Sequence, residues 1–289
     1  MNWIKQSSVI LIIKVLVTAV ALGFVLSQIP VKQLFQILIH AKISLLLLAT
    51  LLFILSKYFS SIRLHRVFAN AGIEISAEYN FYLYVLGMLY NFILPSGVGG
   101  DAYKVLKIER DFNYTHKHIA TVVFFDRISG LVALCNIACI LFTALFYISY
   151  LLHLVLILIL LNAAFYFLLS KIVAFRLFVL KTELFSWGVQ ILQSVCAYCI
   201  CLSLNIHEHI FVYVCIFLIS SIVSVLPISI GGLGAREYTF MIAAGYLSIE
   251  QDKAVCIGLL FYIITLLVSL SGIYFLFKPI TKKSHYVSE

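Results

Sequence analysis

The sequence predicts an all-α polytopic membrane protein, with about six full spans plus two oppositely oriented re-entrant helical hairpins. Three observations predict it. Hydrophobic residues make up 63% of the 289 positions and charged residues only 11%, with a mean hydropathy of +1.10. A soluble domain carries about 25% charge, so this chain cannot clothe a water-soluble surface. Apolar runs of bilayer length recur from end to end, and two Pro/Gly-rich breaks repeat one pattern. Soluble enzymes, transcription factors and nucleic-acid modules are excluded on composition. The net charge of +8, from 20 basic and 12 acidic residues, is therefore read as a membrane asymmetry.

A bilayer core takes roughly 20 apolar residues per helix. Runs of that kind cover residues 9–28, 41–62, 118–147, 151–170, 184–204 and 252–277. The first follows Lys5 without a small-residue cleavage site after it, so it is expected to be a retained span rather than a signal peptide. The longest polar stretches, Arg63–Glu78, Lys104–Lys117 and Lys171–Glu183, are expected as connections too short to fold as a catalytic head. Two regions fit the span template badly. Phe81 to Leu94 is short and breaks at Pro95-Ser96-Gly97-Val98-Gly99-Gly100, and the charged segment Asp101 to Arg110 follows. Ile210 to Leu226 breaks at Pro227-Ile228-Ser229-Ile230-Gly231-Gly232-Leu233-Gly234, before a second short helix from Ala235 to Leu247. Hydrocarbon cannot satisfy the backbone groups that such breaks release, so each tip must lie against protein or a wet cavity. Each region is predicted to be a re-entrant hairpin, at about 79–110 and 210–248.

Basic residues orient the chain. With the N-terminus cytoplasmic, the inner side collects Lys5, Arg63, Arg66, Lys104, Lys107, Arg110, Lys117, Lys171, Arg176, Lys181, Lys278, Lys282 and Lys283, and the outer side Lys32, Lys42 and Lys253. That is the asymmetry expected of a multi-pass protein of the inner, cytoplasmic membrane with both termini inside. The first hairpin then enters from inside and the second from outside. Pro95, Gly99 and Gly100 each stand 132 positions before Pro227, Gly231 and Gly232, and Lys104 keeps that offset from Arg236. A single membrane domain, 1–289, thus divides into repeats of 1–147 and 151–289. Inverted repeats with broken helices near the midplane are typical of secondary transporters.

The chemistry of the tips favours an anion. Glycine permits close backbone approach, and a helix starting just after it points free N–H groups and a positive dipole end at the break. Candidate substrate-binding residues are Arg127, Arg236, Glu237, Asp101, Lys104, Asp126, Ser96 and Ser229. The hairpin tips are Pro95, Gly97, Gly99, Gly100, Pro227, Gly231, Gly232 and Gly234. Asp126 and Arg127 are adjacent and do not face each other on a helix, so Arg127 is expected to reach Asp101 or Glu237. The same charges could instead lock helices together.

The segments Asn91 to Lys104 and Leu226 to Glu237 resemble the two signatures of the lysylphosphatidylglycerol synthase transmembrane (flippase-like) family, and the resemblance covers essentially the whole chain. It implies a stand-alone member without the aminoacyl-transferase domain of bifunctional relatives. Two positions depart from the family pattern: Lys104 stands where Arg is usual, and Asp126 where Glu usually precedes the arginine. Both keep the sign of charge and change reach and hydrogen-bond geometry.

Other chemistries find less support. Cys196, Cys199 and Cys201 lie in an apolar span with no fourth ligand nearby, as packing residues do. His207-Glu208-His209 is expected in a solvated outer turn. The glycine-rich tips lack the Lys-Ser/Thr ending of a phosphate loop. An intramembrane aspartyl protease needs glycine where Val98 stands, and Ser96 has no histidine base in the spans. No metal, cofactor or nucleic acid is expected. The expected function is translocation of an anionic, phosphate-bearing lipid or lipid-linked glycan, with membrane lipids (anionic or polyprenyl-phosphate-linked) and a lipid-modifying enzyme or glycosyltransferase as partners. The alternatives are an intramembrane enzyme acting on a lipid phosphate and an accessory subunit of a lipid or glycan pathway.

Overall fold

A computed structural model describes residues 31–93, 99–146, 151–170, 179–225 and 232–278, together with positions 16, 23, 27 and 280. The described residues form helices and no strands. In chain order these are α1 (Val31–Ile39), α2 (Ile43–Asn70), α3 (Ala77–Ile93), α4 (Gly99–Phe112), α5 (His116–Phe146), α6 (Leu151–Ser170), α7 (Val179–Ser203), α8 (Ile210–Val225), α9 (Ala235–Tyr246), α10 (Gln251–Leu270) and α11 (Gly272–Phe277). Four helical stretches are long and apolar enough to cross a bilayer: Ile43–Asn70, His116–Leu145, Thr182–Ser203 and Gln251–Phe277. Leu156–Phe165 and Ile210–Val225 are shorter apolar helices. The predicted span at 9–28 lies outside the described residues except for Leu16, Gly23 and Ser27.

Helix extends into two of the predicted connections. The stretch Arg63–Glu78 was expected as a connection, and α2 runs into it as far as Asn70. It can do so because Arg63 finds a buried carboxylate inside the bundle. The stretch ending at Glu183 likewise gives way to helix from Val179, and Glu183 is buried.

The antiparallel pair α2 and α7 shares the most extensive helix contact in the bundle. The Lys42 N–H donates to the Ser203 carbonyl at one end (2.9 Å). Farther along, Phe59 packs on Phe185, and the Arg66 guanidinium lies over the Phe185 ring. The short helices form two hairpins. Tyr79, at the start of α3, donates to Asp111 at the end of α4 (2.6 Å). Tyr213, at the start of α8, donates to the Glu250 carbonyl just beyond α9 (3.3 Å). The first hairpin opens at the end of the bundle that holds Ala71 and His118, the second at the end that holds Lys42 and Ser203. At 1.5 Å per residue the arms are about 18–26 Å long, short of a hydrocarbon core of about 30 Å.

Two close approaches fix the first hairpin. The backbones of Gly87 and Gly100 touch, and a Cβ built on Gly100 would fall on the Gly87 carbonyl. The Gly100 N–H, exposed by the chain break, donates to Asn91 Oδ1 (2.9 Å). In the second hairpin Gly232 and Gly234 have φ of +85° and +82°, values that an L side chain resists. The predicted tip residues Pro95, Ser96, Gly97, Pro227, Ser229 and Gly231 lie outside the described residues.

Two apolar clusters fill the bundle. One gathers Phe53, Leu134, Ile200, Phe217, Phe240 and Phe261; the other gathers Leu64, Phe68, Leu86, Ile108, Ile119 and Val132. On α2 Lys57, Ser60, Ser61 and Arg63 fall between them, and on α5 the run 126–130 lies within the second cluster, just before Leu134 of the first.

Gly100→Val should prevent assembly of α3 on α4, lowering the yield of monodisperse protein in size-exclusion chromatography. Gly23→Ala, where nothing stands within 4 Å of the added carbon, should elute as the parent does.

Candidate functional site

Between the clusters lies a cavity of about 390 Å³, within the range of about 300–1,000 Å³ usual for small-ligand sites. Its walls come from both hairpins and from the long helices. Asn91 and Phe92 close α3; Ser221, Ser224, Gly232 and Arg236 flank the second break; Lys57, Arg127, Gln193 and Phe261 come from α2, α5, α7 and α10. Among the described residues four cations line it, Lys57, Arg63, Arg127 and Arg236, and no carboxylate does.

Each cation is held differently. Arg63 grips Asp126 with both arms of its guanidinium, Nε to Oδ1 at 2.8 Å and Nη2 to Oδ2 at 3.0 Å. Its remaining Nη1 donates to Ser186 Oγ at 3.1 Å, and Ser186 in turn is 2.7 Å from Ser129. Gly130 leaves room for this guanidinium, since a Cβ there would stand 3.0 Å from Nη1. The pair is buried and bidentate, and it ties α2 to α5, with the serine tying both to α7. Arg127 forms an ion pair with Asp101, whose other oxygen accepts from Lys104 Nζ at 3.0 Å. Of the two partners foreseen for Arg127, Asp101 is the one in contact.

Lys57 and Arg236 have no carboxylate partner among the described residues. The Arg236 guanidinium donates to Ser221 at 3.2 Å and Ser220 at 3.4 Å. Its charged carbon lies 4.7 Å from the Phe261 ring centre and 5.3 Å from that of Phe217. Lys57 Nζ is 4.6 Å from the centre of the Phe53 ring. Phe53, Phe261 and Phe217 contact one another in sequence, at 5.4 and 4.7 Å between centres. These two cations, neither in an ion pair with a carboxylate among the described residues, therefore rest on one aromatic wall. Such contacts are worth about 2 kcal/mol or more when desolvated, less than the penalty of an unpaired charge in hydrocarbon.

Glu237 sits elsewhere than a sequence neighbour of Arg236 suggests. Its Oε2 accepts the Gly234 N–H at 2.6 Å, closing the N-terminus of its own helix. A carboxylate there also complements the helix dipole. Both exposed helix starts are therefore partly satisfied from within, Gly234 by Glu237 and Gly100 by Asn91. Of the predicted residues, the structure brings Arg127, Arg236 and Gly232 to the cavity wall. It places Asp101, Lys104, Asp126 and Glu237 behind it. Sequence reasoning missed Lys57 and Arg63. Lys57 was detectable as a lone cation inside an apolar span, a position expensive enough to require a purpose.

The family model described as "Lysylphosphatidylglycerol synthase TM region" matches residues 11–272. The chain belongs to this family. Both hairpins and every cavity-lining residue fall within the matched span, and the family's description points to a membrane role connected with lipids. Comparison with curated proteins finds no match. Among the described residues no group of three or more His, Cys, Asp or Glu side chains comes together to hold a metal ion.

Removing one partner from a buried ion pair is destabilising by about 3–5 kcal/mol, whereas apolar replacement of both is close to neutral. Asp126→Ala should therefore lower stability in denaturant titrations of the detergent-solubilised protein. Arg63→Met combined with Asp126→Leu should recover most of the loss.

Proposed function

We propose that this family member translocates an anionic, phosphate-bearing lipid or lipid-linked glycan across the cytoplasmic membrane. The observation that carries the reading is a cavity inside an apolar bundle, lined among the described residues by four cations and no acid, two of them with no ion pair to a carboxylate. A phosphate headgroup entering it would neutralise Arg236 and Lys57, with a forked, charge-assisted contact from the former. Arg127 borders the same space and can divide its N–H donors between Asp101 and a phosphate oxygen. The acyl or polyprenyl tails would stay in lipid.

In this reading the chain is one membrane domain of two inverted repeats, 1–147 and 151–289, with about six full spans and both termini cytoplasmic. The hairpins α3–α4 and α8–α9 are re-entrant, the first from the inner face and the second from the outer. Their opposite openings and their arms, too short for a crossing, support this. Rocking of one repeat against the other would open the cavity to each leaflet in turn. Ser96 and Ser229 at the tips would add hydroxyl contacts to the headgroup, while Asp101, Lys104, Asp126 and Glu237 hold the cations and helix ends in place. A glycosyltransferase or lipid-modifying enzyme would supply or consume the lipid. The mechanism involves no covalent step by the chain itself.

Arg236→Ala should abolish translocation in proteoliposomes while the protein still inserts, read as protection of a fluorescent phospholipid or polyprenyl glycolipid from outer-face quenching. Arg236→Lys should keep partial activity, because the charge survives and the fork does not. Gly232→Leu should also fail, since the backbone there is left-handed and a Cβ would crowd Ser224 at 3.1 Å. Full activity of the alanine variant would remove Arg236 from the mechanism.

Topology has its own test. With the native cysteines replaced, a cysteine placed near Lys107 should label from the cytoplasm, and one near Glu208 only from outside. Labelling of both from one side would sink the inverted-hairpin arrangement.

A further inference from the structure

Eleven of the 12 carboxylates lie among the described residues. Seven of the 12 acids, Glu74, Glu78, Glu109, Asp111, Glu208, Glu250 and Asp252, lie in or beside the loops at the two ends of the bundle. Four are buried: Asp101, Asp126, Glu183 and Glu237. Asp101 holds Lys104 and Arg127, and both oxygens of Asp126 are taken by Arg63. Glu237 closes α9 through Gly234, and Glu183 accepts from Ser129 at 3.5 Å. The twelfth, Glu289, lies outside the described residues; the break segments 94–98 and 226–231 contain no acid. None of the four buried acids lines the cavity.

Neutral hydrogen-bonding groups are plentiful there by contrast. Gln193 makes no hydrogen bond among the described residues and borders the cavity. Asn91 uses its Oδ1 on the Gly100 N–H and keeps its amide donors. Ser221 and Ser224 donate to carbonyls of their own helix, leaving oxygen lone pairs for a ligand or for Arg236.

From this inventory we infer that the cavity selects a lipid whose phosphate is its only charge and which carries a neutral polyol, and that it rejects the aminoacylated lipid named in the family's description. The inference rests on the translocation reading and narrows its substrate. A lysyl headgroup brings ammonium groups into a space walled by four cations, where none of the described lining residues is an acid. Such a charge would be both repelled and unpaired, the usual basis of discrimination by penalty. A glycerol or sugar hydroxyl meets amides and serines instead. A polyol phosphodiester can come from a glycerophospholipid or from a polyprenyl phosphate, and both present this chemistry.

The test compares three tail-labelled lipids in vesicles containing the full-length protein: phosphatidylglycerol, lysyl-phosphatidylglycerol and a polyprenyl phosphate bearing one neutral sugar. One or both of the neutral-polyol lipids should cross at least about tenfold faster than the lysyl lipid, and the faster of the two identifies the source. Gln193→Glu, isosteric at a side chain without a hydrogen bond, puts an acid on the wall and should shrink that ratio severalfold. Equal or faster passage of the lysyl lipid overturns the inference and leaves translocation standing. If no lipid crosses, the translocation reading fails; thermal stabilisation of the solubilised protein by each lipid still measures selection. Equal stabilisation by the lysyl and polyol lipids would then overturn the inference, and preference for a polyol lipid would support it.

Discussion

Hydrocarbon offers a charged group no water, and this constraint organises the interior of the bundle. Each buried charge must find a partner inside the protein or face a cavity. Arg63 and Asp126 answer it as a bidentate pair, and because they stand on α2 and α5, satisfying one another also sets how those helices meet. Ser186 extends the lock to α7, whose long antiparallel contact with α2 forms the scaffold. Asp101 answers it differently, gathering Lys104 from its own helix and Arg127 from α5. What these two clusters leave over is the charge of Lys57 and Arg236, placed on the aromatic wall. The cavity is electropositive because the acids of the interior are spent elsewhere.

The division between apolar clusters follows the same logic. Phe53 and Leu134 belong to one cluster, Leu64 and Val132 largely to the other, and the polar residues of α2 fall between them in one layer with those of α5. Gly130 within that layer has no side chain because the Arg63 guanidinium occupies its place. The broken hairpins end at this layer from opposite directions. Their exposed backbone groups are met by Asn91 and Glu237, while the arginine beyond the second break is held by serine hydroxyls and aromatic rings and has no carboxylate in contact among the described residues.

Much of this was legible in the residue order. The short helices beside the two breaks were predicted within two residues at every end but one, α3 starting at Ala77 and not at Phe81, because Pro and Gly punctuate an otherwise apolar text. The pairing of Arg127 with Asp101 was one of two contacts foreseen. The fate of Arg63 was not legible: a cation at the end of an apolar run has the same local pattern whether it leaves for water or meets a carboxylate 63 positions away. Only the tertiary approach of α5 decides between those outcomes. Lys57 escaped for a related reason, since one lysine barely lowers the mean hydropathy of a long span. The role of Glu237 as a helix cap could have been read from its place three residues after Gly234, where a capping carboxylate belongs.

The contact between Gly87 and Gly100 has a mechanical consequence. Where two helices meet through side chains, small rotamer changes let one slide along the other; where they meet through backbone, that lubricant is missing. The arms of the first hairpin are in addition stitched by Asn91 near the break and by Tyr79 and Asp111 at the open end. Shear within the hairpin would have to break all three attachments together. The arms of the hairpin are thus coupled at both ends, from the Tyr79–Asp111 contact to the charged layer beside Gly100.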